Sequence, residues 1–347
     1  MCAAGDTLDT MSAPLRAAVI GLGSMGSNHA RIYNDLPGVE LAAVADPDRQ
    51  RLERAAASRP VAMFDDYRVM LRETRPDLVS IVVPTGLHHR VALDVIEAGC
   101  NLLVEKPIAA SIEQAHEVAT AAAAAGVVLT VGHIERYNPA VQELKRRLAE
   151  GQGGRIIQLR ARRVGPFPHR IRDVGVIHDL APHDIDIMRH LLEDDVERVF
   201  AEAQGRINTD NEDIVAGVLH FNRGAMGVLD INWLTPMKER KLTVLAEKGM
   251  FVVDYPAQTL EFYENFAASA REGSIASVTE GPMTRYLIPN REPLRVELEA
   301  FRDAVLGQAP VQVTAEDGIA ALATAEALVR SAGEHQPITV APLVAGS

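Results

Sequence analysis

The stretch Val19-Ile20-Gly21-Leu22-Gly23-Ser24-Met25-Gly26 constrains the fold more than any other part of this chain, because three spaced glycines separate an apolar run from a helix-compatible segment, Ser27–Leu36. The run Ala17–Ile20 suits a buried strand. Gly21 permits a tight turn, Gly23 lets the backbone approach a pyrophosphate, and Gly26 lets the following helix pack on the sheet. Ser24 and Met25 then fall at a helix N-terminus, whose unpaired N–H groups and positive dipole end suit a diphosphate. A second apolar run, 39–45, ends in Asp46, whose carboxylate can accept both ribose hydroxyls of an adenosine. The expected cofactor is NAD rather than NADP, since Asp46 would repel a ribose 2′-phosphate; Arg49 is the residue that would pair with one.

From Leu15 to about Arg136 short apolar runs alternate with helical stretches, the rhythm of a parallel sheet with crossover helices. The predicted strands are Ala17–Ile20, Leu41–Ala45, Val61–Met63, Leu78–Val83, Asn101–Val104 and Val127–Val131. Arg90–Ala98 and Ile112–Ala125 read as helices, the latter stopped by Gly126. After about residue 150 longer, nearly alternating runs follow: Ile156–Arg163, Val196–Gln204, Ile214–Phe221, Ala225–Leu234, Arg240–Glu247 and Met250–Tyr255. Such a succession implies an antiparallel sheet. Helical stretches at 177–192, 295–306 and 315–332 would cover one face and leave the other for a second subunit, so a homo-oligomer is expected. Residues 1–14 read as a flexible tail and 264–292 as an irregular excursion.

A formal net charge of −12 argues against nucleic acid or an anionic membrane as partner. No apolar stretch approaches the roughly 20 residues that span a bilayer, and the first fourteen residues lack the apolar core of a secretory signal. A cytoplasmic protein is expected. Cys2 and Cys100 are the only cysteines, too few for a disulfide framework.

Chemistry enters with Asn101-Leu102-Leu103-Val104-Glu105-Lys106-Pro107, where a buried strand delivers Glu105 and Lys106 to its carboxyl end, the edge at which doubly wound sheets bind ligands. Pro107 fixes the backbone after Lys106 and admits a cis bond. Thr85, His88, His89 and Tyr137 lie in loops expected to face the same crevice, Thr85 directly after a parallel strand. The second element is Gly175-Val176-Ile177-His178-Asp179-Leu180-Ala181-Pro182-His183-Asp184-Ile185-Asp186, continuing to His190. On one helix Asp179, His183, Asp186 and His190 share a polar face. Pro182 would sit best in the first turn, placing Asp179 just before regular helix. A metal site is the competing reading, but His178 and His183 diverge by about 140° on a helix, unlike the i, i+4 histidines of helical zinc sites, so no metal is expected.

With the glycine fingerprint, Val104-Glu105-Lys106-Pro107 and the Asp179/His183 pair in this order, the chain resembles the Gfo/Idh/MocA family of NAD(P)-dependent oxidoreductases, which includes glucose–fructose oxidoreductase and inositol dehydrogenase. The resemblance implies an α/β chain with an N-terminal Rossmann domain, a doubly wound parallel sheet (15–136). It also implies a C-terminal α+β domain with an open antiparallel sheet (137–347), often assembled into dimers or tetramers. Lys106, Asp179 and His183 match the family's catalytic constellation. Gly21, Gly23, Ser24, Met25, Gly26, Asp46, Thr85, His88, Glu105 and Lys106 are then the expected cofactor contacts. The chain departs from many members in carrying only Gly175 before the aspartate, and Pro182 before the histidine. The implied reaction is oxidation of a secondary sugar alcohol, with His183 removing the hydroxyl proton near neutral pH and Lys106 stabilising the alkoxide.

Between the catalytic motifs, Arg155–Arg172 holds six arginines and no acid. Arg160 and Arg162 share one strand face and Arg163 the other; a subset could clamp a diphosphate, and a basic edge pairing with neighbouring acids is the bland alternative. Gly132-His133-Ile134-Glu135-Arg136-Tyr137-Asn138-Pro139, Ala161-Arg162-Arg163-Val164-Gly165-Pro166-Phe167-Pro168 and Asp173-Val174-Gly175-Val176 resemble the branch acting on UDP-N-acetylglucosamine at C3, which supplies 3-keto sugar nucleotides to a PLP-dependent aminotransferase. That resemblance implies substrate contacts at Arg136, Tyr137, Arg163, Arg170 and His183. An inositol or free-sugar dehydrogenase is the alternative, and a non-catalytic NAD(P)-binding redox sensor is the reading from another class.

Overall fold

A computed structural model describes residues 13–57, 60–168, 174–207, 211–265 and 281–341. The expected tail at 1–14 lies almost wholly outside the described residues, as do Arg170, Arg172 and most of the 264–292 excursion.

The N-terminal half runs β1 (Leu15–Ile20), α1 (Ser24–Asp35), β2 (Val39–Ala45), α2 (Arg49–Ala56), β3 (Ala62–Phe64), α3 (Tyr67–Thr74), β4 (Leu78–Ile81), α4 (His88–Glu97), β5 (Asn101–Glu105), α5 (Ile112–Ala125) and β6 (Leu129–Gly132). Its strands form one parallel sheet in the order β3-β2-β1-β4-β5-β6, the doubly wound arrangement. Local chemistry agrees with the topology. Asp48, Asp66 and Ser111 cap helices α2, α3 and α5 with side-chain oxygens, and Gly126 ends α5 in the left-handed region. Continuously buried β4 and β6 are what a sheet covered on both faces requires.

The second half continues with α6 (Pro139–Ala149), β7 (Ile156–Val164), α7 (Val176–Leu192), β8 (Val196–Gln204), β9 (Ile214–Phe221), β10 (Met226–Asn232), β11 (Glu239–Ala246), β12 (Gly249–Asp254), β13 (Thr259–Glu264), β14 (Met283–Tyr286), α8 (Pro293–Val305), α9 (Ala315–Glu334) and β15 (Ile338–Thr339). Among the described residues these strands make one sheet in the order β14-β13-β12-β11-β7-β10-β9-β8-β15. Every pairing is antiparallel except one: β7 lies parallel to β10 at the sheet centre. Sequence alternation carries no information on the direction of a neighbour, so this pair was not expected. Strands β13 and β14 extend the sheet at its edge, the latter inside the stretch read as irregular.

Two of the three expected helices cover the large sheet, and the third does not. Helix α7 packs against β10 and β7, and α9 against β8. Helix α8 instead joins the parallel sheet: Leu294, Leu298 and Phe301 share a core with Ala17, Val19, Tyr33 and Leu103. Helix α9 is apolar on two sides, giving Ile319 and Leu322 to the first domain's core and Ala321, Ala325 and Leu328 to the second's. The outer face of the large sheet carries exposed Phe200, Val218, Met226 and Leu245. No helix among the described residues is long and apolar enough to cross a membrane.

Candidate active site

The carboxyl ends of β1, β2, β4 and β5 and the first turns of α7 enclose a cleft of about 1540 Å³. Its first wall is the glycine turn. Gly21 sits at φ +90, and a Cβ there would lie 2.4 Å from the Val82 carbonyl oxygen. A Cβ on Gly26 would lie 1.8 Å from the Gly21 carbonyl oxygen, whereas Gly23 faces open space. The turn is thus closed behind and open in front, as a backbone cradle for a diphosphate must be. Ser24 and Met25 line the cleft at the start of α1. Asp46, buried at the end of β2, accepts from the Leu22 N–H at 2.6 Å and the Asp48 N–H at 2.8 Å, which fixes its carboxylate at the rim. The cation beside it is Arg51, 3.5 Å away, and not Arg49, which is exposed and paired with Glu53. These residues fit a dinucleotide whose ribose meets the acid.

Thr85 lines the cleft after β4. His88 is buried at the start of α4, with Nδ1 2.8 Å from the Pro107 carbonyl and Nε2 2.9 Å from the Val83 carbonyl. Burial holds this imidazole below its ordinary range, so the neutral ring donates to one of the two carbonyls, and His88 lines the cleft as expected of a residue near the cofactor. His89 turns away to Glu117. Glu105 is held from behind by His29, 3.1 Å distant, which also contacts Ser80.

Lys106 follows, its bond to Pro107 being cis. Its ammonium donates to the Asp179 carbonyl and lies 3.2 Å from Asp179 Oδ1. His183 lines the same cleft one turn further along α7, its Nδ1 buried without a hydrogen-bond partner. Burial, with the nearby charges of Lys106 and Arg163, pushes this imidazole well below its ordinary range. A pKa near neutrality was expected; the site instead holds the ring neutral. The helix starts at Val176, with Gly175 as N-cap, so Asp179 lies within it and Pro182 is internal rather than in the first turn. The proline removes one backbone hydrogen bond, and the helix is nonetheless held by burial along its length. Asp186, expected on the same face, is bonded to Arg136, and neither it nor His190 lines the cleft.

Three expected substrate contacts lie behind the cleft wall. Arg163 is 2% exposed and bonded through Nε and Nη2 to Asp184 at 2.8 and 2.9 Å and through Nη1 to Glu135 at 3.1 Å. Arg136 is bonded to Asp186 and Asp317. Tyr137 is a buried core residue. Two exposed arginines of the basic segment meet acids of this same chain, Arg155 with Glu247 and Arg162 with Glu239. Sequence reasoning missed Arg240 and Asn211, which line the cleft from the second domain. Arg240 falls in phase with buried Leu242, Val244 and Ala246, a cation at an inward position, and that phase was the available signal.

A family model described as an oxidoreductase family with an NAD-binding Rossmann fold matches residues 15–133, and the GFO/IDH/MocA C-terminal domain matches 141–252. The UDP-N-acetylglucosamine 3-dehydrogenase of Acidithiobacillus ferrooxidans is 30% identical, over 86% of this chain and 90% of that protein. Its solved structure superposes with a TM-score of 0.82, covering 91% of this chain and 97% of that one. The scyllo-inositol 2-dehydrogenase (NAD(+)) of Bacillus subtilis is 28% identical over 78% of this chain and 90% of that protein. GenD2 from gentamicin A biosynthesis, solved in complex with NAD, is 27% identical with a TM-score of 0.80, covering 95% of this chain and 97% of that one.

Proposed function

The chain belongs to the GFO/IDH/MocA family of NAD-binding oxidoreductases, and from that premise we propose that it oxidises the C3 hydroxyl of a UDP-sugar such as UDP-N-acetylglucosamine to the 3-keto nucleotide sugar. One observation carries the catalytic reading: Lys106 of the first domain and Asp179 and His183 of the second meet in the cleft that the glycine turn opens into. NAD, when bound, supplies the hydride acceptor at nicotinamide C4. Neutral His183 takes the hydroxyl proton, the Lys106 ammonium stabilises the alkoxide, and Asp179 orients that ammonium. The nucleotide sugar is supported by the name of the Acidithiobacillus relative.

A 3-keto product suits a PLP-dependent aminotransferase, which consumes carbonyl groups. The apolar outer face of the large sheet supports a homo-oligomer. Internal pairing of Arg163 favours the second reading, an inositol or free-sugar dehydrogenase, because it removes one expected diphosphate ligand. Incubation with NAD+ and, separately, UDP-N-acetylglucosamine, glucose and inositols separates the readings. NADH formed with the nucleotide sugar, with a product two hydrogens lighter, supports the first. Turnover of free polyol alone supports the second, and tight NAD binding without turnover marks a sensor.

A further inference from the structure

Arg240 opens β11 on its inward side, at the point where the apolar row Leu242, Val244 and Ala246 gives way to the cleft. Across the sheet it stands in register with Arg163 on β7 and next to Tyr255, whose N–H donates to the Arg240 carbonyl. Directly opposed residues of an antiparallel pair share a face, so the two guanidinium groups project side by side. Their surroundings differ. Arg163 is neutralised by Asp184 and Glu135, while the guanidinium of half-buried Arg240 makes no hydrogen bond or ion pair to any described residue, and Glu135, Asp184 and Asp179 act on it only through space. Lys238, close enough for Arg240 to hold its ammonium below the ordinary range, has no ion pair among them either. The Tyr255 hydroxyl, fully buried in the same row, has no hydrogen-bond partner. An inward, half-buried guanidinium without a contacting counter-ion is costly, and a planar fork of N–H donors at a cleft wall matches a phosphate oxygen pair.

Building on the nucleotide-sugar reading, we infer that Arg240 binds a phosphate of the substrate diphosphate and so selects sugar nucleotides over free sugars. The role assigned from sequence to Arg163 thus falls to its cross-strand neighbour. The anion enters on the second domain's wall, across the cleft from the turn that cradles the dinucleotide.

The test uses NAD+-saturated protein, so that the dinucleotide site is filled, and titrates UDP into wild type, Arg240→Met and Arg240→Lys. Losing a charge-assisted fork should weaken UDP binding about tenfold to a hundredfold in Arg240→Met, and less in Arg240→Lys, which keeps the charge but not the fork. In turnover the KM for UDP-N-acetylglucosamine should rise by a similar factor, while the KM for NAD+ and the unfolding temperature stay near wild type. If UDP affinity and KM are the same in all three proteins although wild type oxidises the nucleotide sugar, the role of Arg240 is overturned and the proposed function stands. If wild type neither binds UDP nor oxidises any UDP-sugar, both fall together. Glucuronate is the control for a sugar carboxylate: an Arg240-dependent affinity for glucuronate with none for UDP would overturn the phosphate assignment.

Discussion

The Lys106 ammonium lies 3.2 Å from Asp179 Oδ1 and also donates to the Asp179 carbonyl, so one side chain joins the end of a parallel strand to the first turn of a helix from the other domain. Lys106→Met removes the charge expected to stabilise the alkoxide, and kcat should fall about 10²- to 10⁴-fold with NAD+ affinity retained. Asp179→Asn keeps the shape but leaves the ammonium uncompensated, and a smaller loss, at least about tenfold, is expected. Steady-state kinetics with NAD+ binding measured separately decide; near wild-type turnover in both variants removes the pair from the mechanism.

Because burial, with Lys106 and Arg163, pushes His183 well below the imidazole range, its ring is neutral and able to accept a proton at pH 7. The acid limb of kcat/KM should therefore lie below about pH 6.5. His183→Asn should abolish that limb and lower kcat about 10²- to 10⁴-fold. A limb centred at pH 7 or above excludes His183 as the base.

The same displacement governs stability. His190 is pushed down to about 4, chiefly by burial, and buried His133 is lowered in the same direction. Below about pH 6.5 the unfolded chain then binds more protons than the native protein, so stability falls as the pH is lowered from 6.5 toward 4 and is fully present above 6.5. His190→Gln should flatten the decline of unfolding temperature over that window. An acid slope unchanged from wild type would show that this ring stays protonated in the fold.

Arg163 is a structural cation. Arg163→Met leaves Asp184 and Glu135 without their counter-ion in a buried cluster, a loss of about 3–5 kcal/mol. Chemical denaturation should register it. A fully stable Arg163→Met protein with a raised KM for the sugar nucleotide would return Arg163 to the substrate site.

The glycines separate fold from ligand. Gly26→Ala drives a Cβ into the Gly21 carbonyl and should cost about 3 kcal/mol or more. Gly23→Ala meets no atom within 4 Å, so the fold should keep its unfolding temperature while NAD affinity drops, the new methyl occupying the approach path of the diphosphate. Equal effects of the two substitutions on stability would contradict the open and closed sides of the turn.

Asp46 and Arg51 are expected to set the choice between NAD and NADP. Asp46→Ser removes the carboxylate and frees the Arg51 guanidinium 3.5 Å away, and the ratio of kcat/KM for NADP over NAD should rise at least about tenfold. A ratio that does not move would mean that neither residue meets the adenosine ribose.

What the sequence by itself determined is whatever short-range chemistry dictates. Glycine sterics at Gly21 and Gly26, the acid at the end of β2, and the apolar runs of β1, β4 and β5 act within one strand–turn–helix unit, so the dinucleotide fold and the Glu-Lys-Pro edge were legible as written. Pairing partners were not. Whether Arg163 or Arg240 faces the substrate depends on which acids helix α7 brings beneath β7, and alternation assigns both arginines the same inward face. Likewise Leu294, Leu298 and Phe301 make α8 amphipathic without naming the sheet it covers. Tertiary structure decided these points because a buried charge is settled by the groups that reach it across the chain: Asp184 and Glu135 pair with Arg163, and no described residue makes a hydrogen bond or ion pair with the Arg240 guanidinium.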